Sequence, residues 1–175
     1  EVSVLSECID RIRRVLENFE TARADPRSMT VTQLARRLAS PKSHGGSWEQ
    51  GFKAHNVWGD PYGICTHYEY STPLPLAYMF KRTWIYGIAD LVRFIKRVPV
   101  EVIELKYYEE VDRYSVIQVK MYAWLTAKCF NARPRAYLVL GWDGRRYSRS
   151  FEVRYSIGEV EELIGRALSK SQLSS

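Results

Sequence analysis

Asp90, Glu104 and Lys106 are the side chains whose types and spacing carry chemistry in this chain. Glu104 and Lys106 interrupt VEVIELKYY (Val100 to Tyr108), a run that otherwise reads as a buried β-strand. Side chains alternate along a strand, so Val100, Val102, Glu104 and Lys106 are expected on one face. Glu101, Ile103, Leu105 and Tyr107 then share the other. Both faces are mostly apolar, as in an interior strand, where an ionised group is costly unless paired, hydrogen-bonded or bound to metal. An ion pair along the strand would satisfy these two charges by itself. Asp90 adds a third. It follows Gly87-Ile88-Ala89 in the preceding β-rich run, and a hairpin would bring it beside Glu104. Neighbouring carboxylates repel unless a cation lies between them, and hard oxygen ligands from adjacent strands suit Mg²⁺ or Mn²⁺. Lys106 would then hold a water or a phosphate oxygen. That is equipment for metal-assisted phosphodiester hydrolysis.

The elements that must position these residues are legible in outline. Val4 to Phe19 carries one apolar stripe at helical period, with Glu and Arg opposite. A shorter helix is expected over Val31 to Leu38 (VTQLARRL), and SPKSHGGS after it reads as a loop. Ser47 with Gln50 makes a capping-box pattern, so SWEQGFKAHNVW is expected to open a helix at Ser47. Gly59 to Pro75, rich in Pro, Tyr and His, reads as an irregular connection with one short strand around Cys65 to Tyr70. TWIYGIADLVRFI and VPVEVIELKYY read as a hairpin joined at Lys96-Arg97. Val111 to Phe130 reads as a long amphipathic helix. RAYLVLGW and YSRSFEVRY flank the turn signal Asp143-Gly144. A helix over Ile157 to Leu168 and a frayed tail end the chain. This order predicts a single α/β or α+β domain with a mixed sheet.

Composition bounds the rest. With 175 residues, 46% hydrophobic and 26% charged, the chain is sized for one soluble domain. No run of 18 apolar residues is present, so no membrane-spanning helix is expected. EVSVLSECIDRIRR lacks a basic segment followed by an apolar one, so no secretory signal is expected, and without a Met at position 1 the sequence reads as trimmed there. The net charge of +6 and pI near 9.3 suit a polyanionic partner. Cys8, Cys65 and Cys129 are far apart with no CxxC spacing, which suggests neither a zinc ribbon nor a thiolate-held cluster. They are expected as reduced, mostly buried thiols of a cytoplasmic protein.

Asp90 and, fourteen positions on, Glu104-Leu105-Lys106 resemble the D…ExK signature of the PD-(D/E)XK nuclease superfamily. Gly51-Phe-Lys-Ala-His55 upstream resembles the GxxxH element of its RecB-type branch, which includes the CRISPR-associated exonucleases. Gln118-Val-Lys-Met-Tyr122 downstream resembles the QxxxY element. The elements stand in the family's order over Gly51 to Tyr122. The resemblance implies a restriction-endonuclease-like core over residues 47–168, a mixed sheet flanked by helices, after an N-terminal helical segment over 1–46. It implies Mg²⁺ or Mn²⁺ held by His55, Asp90, Glu104 and the backbone carbonyl of Leu105, with an imidazole ligand favouring Mn²⁺. Lys106 would position the attacking water, and Gln118 and Tyr122 would shape the site, Tyr122 near the DNA. One departure matters. In VTQLARRL arginines stand where many CRISPR-associated members carry a cluster-ligating cysteine, and no cysteine follows Ala132, so no iron–sulfur cluster is expected.

Basic and aromatic residues interleave around the expected core, with Lys53 and Arg82 as candidate DNA contacts and further arginines at Arg145, Arg146 and Arg149. No sequence-reading module appears. The expectation is therefore a metal-dependent deoxyribonuclease, an exonuclease on single-stranded ends. An endonuclease or junction-cleaving enzyme of the same core and a non-catalytic nucleic-acid-binding domain are the alternatives. Repair, CRISPR adaptation and plasmid or viral DNA processing all remain open as its setting, as does an oligomer.

Overall fold

The computed structural model describes residues 3–41 and 59–170. The helix expected from Ser47, with Gly51, Lys53 and His55, lies outside them. The described chain is an α/β fold in which four α-helices flank one mixed six-stranded sheet. Helix α1 (Val4–Ala24) is capped by the Ser3 side chain, which accepts from the Ser6 N–H, and it buries Ile12, Val15, Phe19 and Ala22 along one stripe. After strand β1 (Met29–Thr30), helix α2 (Val31–Leu38) opens with a reciprocal capping box between Thr30 and Gln33. A short 3₁₀ turn (Pro61–Cys65) then leads into the sheet.

Strands β2 (Glu69–Phe80), β3 (Thr83–Ile95) and β4 (Val98–Lys106) form an antiparallel meander. Both of its turns are two-residue loops, Lys81-Arg82 and Lys96-Arg97, and all four residues have positive φ. That geometry matches the right-handed strand twist, although Lys and Arg replace the usual Asn-Gly. Strand β2 was not expected to be so long, because Pro73 and Pro75 lie inside it. It escapes the usual bar on proline because it sits at the sheet edge, paired only with β3. Since β2 takes one edge of β3 along its whole length, β1 and β4 share the other edge, β1 parallel at Ile85-Tyr86 and β4 antiparallel beyond Leu91.

Helix α3 (Arg113–Phe130) crosses back so that β5 (Arg135–Leu140) joins β4 in parallel, and β6 (Arg149–Val153) completes the sheet antiparallel to β5. Helix α4 (Ile157–Ser169) closes the chain, capped by Ser156. The core contains Trp124, Phe94, Leu74, Leu76, Met121 and Leu138, all fully buried. Helix α3 supplies the largest share of it, and Asn131 ends the helix in the left-handed region.

Cys8 and Cys65, expected as reduced thiols, instead form a disulfide that ties α1 to the 3₁₀ turn. Folding brings their Cα atoms to 5.7 Å, inside bonding range, although they are 57 residues apart in sequence. Disulfides persist in oxidising compartments and in intracellular proteins of hyperthermophiles, so the bridge corrects the expected redox state of Cys8 and Cys65 without fixing the compartment. Cys129 is the remaining thiol. Its Sγ donates to the Ala77 carbonyl, and burial pushes its pKa up to about 11, which makes it an inert packing group. Among the described residues, no helix is long and apolar enough to cross a membrane.

Candidate active site

Two register irregularities decide which way the key side chains point. On the β2 side, Leu74 pairs with Ala89 but Thr72 pairs with Val92, so Pro73 alone opposes both Asp90 and Leu91. Leu74 and Thr72 share a face by alternation, so Ala89 and Val92 share it too, three residues apart. The extra residue in β3 is a β-bulge, and it turns Asp90 onto the face already occupied by Ala89. Pro73 has no N–H to give to the ladder, which is a local reason for the break at this point. Strict alternation would have placed Asp90 with Tyr86 and Ile88, on the face that meets Phe19 of α1.

A second bulge corrects the expected face of β4. Arg93 pairs with Glu101 but Phe94 pairs with Pro99, leaving Val100 as the extra residue. Pro99, not Val100, therefore lies on the buried side with Val102 and Glu104. Val92 opposes Val102 and Leu91 opposes Ile103, so one further step places Asp90 opposite Glu104 on that same face. Both carboxylates are buried, Asp90 at 5% exposure and Glu104 at 2%. An Asp90 carboxylate oxygen accepts from the Leu105 N–H at 2.8 Å, fixing the aspartate against the strand that carries its partner.

Lys106 is the third member. Its ammonium lies 3.4 Å from Glu104 Oε1 and donates to Gln118 Oε1 at 2.6 Å. The ion pair expected along the strand is therefore present, but it is one contact among several. The Tyr114 ring lies 5.5 Å from the Lys106 nitrogen, and the Gln118 amide donates to the Tyr114 hydroxyl at 3.0 Å and to Thr32 Oγ1 at 3.4 Å. Burial works against the ammonium, yet Glu104, followed by Tyr108, Asp90 and Tyr114, outweighs it and raises the Lys106 pKa above its ordinary value. Lys106 is thus a permanent cation and hydrogen-bond donor at neutral pH.

Gln118 and Tyr122 project from one face of α3, one turn apart, and both are buried. Tyr122 differs from its expected place near DNA, since only 6% of it is exposed and its ring packs beneath β3. A Cβ added at Gly87 would meet the Tyr122 hydroxyl oxygen at 2.7 Å, so glycine is what admits the ring. Burial raises the Tyr122 pKa, with Glu104 and Asp90 adding to the effect. This tyrosine is buried within the electrostatic reach of the two carboxylates and presents no open face to a base. Arg82 lies at the tip of the β2–β3 hairpin, eight residues along from Asp90, roughly 26 Å at strand spacing, and so stands outside the cluster.

Three contributors were not singled out in the sequence. Tyr114 and Thr32 hold Gln118, and Tyr108 hydrogen-bonds to Ser115 beside the end of β4. Tyr114 stands four residues before Gln118, a spacing that marks one helix face and that a search for helix neighbours of Gln118 finds. Thr32 carries no such signal, because it arrives from a distant helix. Among the described residues, no group of three or more His, Cys, Asp and Glu side chains is placed to hold a metal ion. The described donors are two, Asp90 and Glu104, and His55 lies outside the described residues. Paired carboxylates on adjoining strands are the hard anionic oxygens that Mg²⁺ and Mn²⁺ take.

No protein-family model matches this chain, and no curated protein does. Among solved structures, it is similar to one described as the crystal structure of SSO0001, with 17% identity and a TM-score of 0.43, over 94% of this chain and 86% of that one.

Proposed function

We propose that the chain is a divalent-metal-dependent nuclease that hydrolyses phosphodiester bonds in DNA, acting on single-stranded ends. One observation carries the reading. A bulge in β3 turns Asp90 onto the face of Glu104, beside a lysine that Gln118 clamps at 2.6 Å. Two buried carboxylates and a buried ammonium brought together by a break in the ladder are costly to fold, which supports a functional reading of the cluster.

Asp90 and Glu104 are the residues that would hold Mg²⁺ or Mn²⁺, with His55 and the Leu105 carbonyl as the remaining protein ligands. The ion supplies Lewis-acid polarisation and an acidified water when bound. Lys106 stays protonated, so it serves as a fixed positive charge and donor for a water or a phosphoryl oxygen rather than as a base. Gln118 orients that ammonium, and Tyr114 and Thr32 orient Gln118. Tyr122 sets the spacing between α3 and β3. Exonuclease action is the family-based part of this proposal. The same constellation serves an endonuclease, which a circular substrate distinguishes.

The Glu104–Lys106 contact at 3.4 Å also favours a plainer reading, an ion pair with no metal and no turnover. Mn²⁺ titration by calorimetry separates the two. The nuclease reading expects binding that Asp90→Ala abolishes, and the ion-pair reading expects no binding to the unmodified protein.

A further inference from the structure

The segment between β5 and β6 lies next to this site, which its basic sequence alone does not disclose. Strands β4 and β5 run parallel, with Lys106 level with Leu140, so residues beyond Leu140 emerge at the end of the sheet where Lys106 stands. The backbone then returns to that end. The Gly141 N–H donates to the Tyr108 carbonyl at 2.9 Å, and the Trp142 N–H donates to the Lys106 carbonyl at 2.9 Å. Ser148 Oγ donates to the Glu109 carboxylate at 2.7 Å and Arg149 donates to the Glu109 carbonyl at 3.2 Å. Between these anchors Asp143 accepts from the N–H groups of both Arg145 and Arg146 at 2.8 Å, which closes a tight turn and lowers the Asp143 pKa.

The turn is therefore built, pinned to the strand that carries Glu104 and Lys106, and it exposes a particular set of side chains. Arg145, Arg146 and Tyr147 are exposed, Tyr147 at 57%, and Trp142, partly buried, stands at the base of the turn with its backbone on the Lys106 carbonyl. Two guanidinium groups flanked by flat aromatic rings match the two repeating features of an unpaired strand, its phosphates and its bases.

We infer that the Trp142–Tyr147 turn is a binding lip for single-stranded polynucleotide. Bases stack on Trp142 and Tyr147, and Arg145 and Arg146 hold the phosphates as the strand reaches the Asp90–Glu104–Lys106 centre. The inference deepens the nuclease reading and rests on it for the strand's destination, but the binding itself does not depend on metal or turnover.

The test uses the full chain and a 5′-fluorescein oligo-dT strand, with anisotropy in EDTA over a series of salt concentrations and cleavage in Mn²⁺ measured separately. Tyr147→Ala and Trp142→Ala are expected to weaken binding about tenfold each with the salt slope retained. Arg145→Ala/Arg146→Ala is expected to flatten the slope of log Kd against log salt by about 1.4, two phosphate contacts at about 0.7 each. Arg145→Glu/Arg146→Glu is expected to remove binding at moderate salt, and circular dichroism confirms that each variant is folded. Variants that bind like the unmodified protein, or an unmodified protein that binds no strand at low salt, overturn the lip. Cleavage with unaltered variant binding sinks the lip and leaves the nuclease reading. Altered variant binding without cleavage leaves the lip and sinks the nuclease reading.

Discussion

Replacing Glu104 with Gln tests how the buried charges are balanced. Lys106 has only 13% of its side chain exposed, and Glu104 Oε1 is 3.4 Å from its ammonium. At that distance and an effective dielectric of about 20, the attraction is about 5 kcal/mol. Two features of the site reduce the loss. Gln118 still accepts from Lys106, and removing the Glu104 charge relieves its repulsion with Asp90 across the β3–β4 ladder. The net destabilisation of Glu104→Gln is therefore about 3 kcal/mol, in the range found when one partner of a buried pair is removed. Urea unfolding followed by circular dichroism at pH 7 measures it. The informative variant is Glu104→Gln/Lys106→Met, which leaves no ammonium stranded and should recover at least half of the loss. A single-variant cost below about 0.5 kcal/mol, the range of ordinary surface changes, refutes the reasoning. So does a double variant less stable than Glu104→Gln.

Three further perturbations probe the packing, the disulfide and the buried charges. Gly87→Ala should cost about 1–3 kcal/mol by overpacking, since the new methyl meets the Tyr122 hydroxyl oxygen at 2.7 Å, and thermal unfolding with a Tyr122→Phe partner should show coupling between the two changes. Cys8→Ser, or dithiothreitol on the native chain, should lower stability by up to about 4 kcal/mol, because the bridge closes a loop of 57 residues; urea midpoints with and without reductant read this directly, and Cys129→Ser should leave the reductant effect intact. Stability should fall as pH rises above about 10. Lys106 has a raised folded pKa, so its contribution is complete below its ordinary value of 10.5 and is lost as pH rises through the folded value; burial also raises Tyr108 and Tyr122, which stay neutral in the fold while the unfolded chain ionises. Urea midpoints from pH 8 to 12 should trace the decline, and Lys106→Met should make it shallower.

Much of the frame was legible because periodicity and turn chemistry act locally. VTQLARRL forms a helix over the expected residues, Lys96-Arg97 turns the expected hairpin, and the helix ending at Phe130 begins within two residues of its expected start. Asp90 and Glu104 do come side by side. The route to that contact was not legible, since alternation assigns faces only where the ladder is regular and both strands carry a bulge beside a proline. Prolines also concealed β2, because the edge position that tolerates Pro73 and Pro75 is a property of the whole sheet. The Cys8–Cys65 bridge lay beyond spacing rules, as tertiary packing alone brings those sulfurs together. Gln118 was singled out by the resemblance of the stretch Gln118 to Tyr122 to a QxxxY element, yet its burial and its hold on Lys106 emerge only when α3 docks on β4.

The proposed phosphodiester-cleaving centre depends on the break in the β3 ladder that brings Asp90 to Glu104. End-labelled linear and circular single-stranded DNA, incubated with the protein and Mn²⁺, tests it most directly alongside Asp90→Asn and Lys106→Met. The account predicts that the unmodified chain degrades the linear strand while each variant, still folded by circular dichroism, loses at least about a hundredfold in rate, of the order expected for a transition-state charge contact. Intact DNA after incubation with the unmodified chain, or undiminished cleavage by either variant, contradicts it.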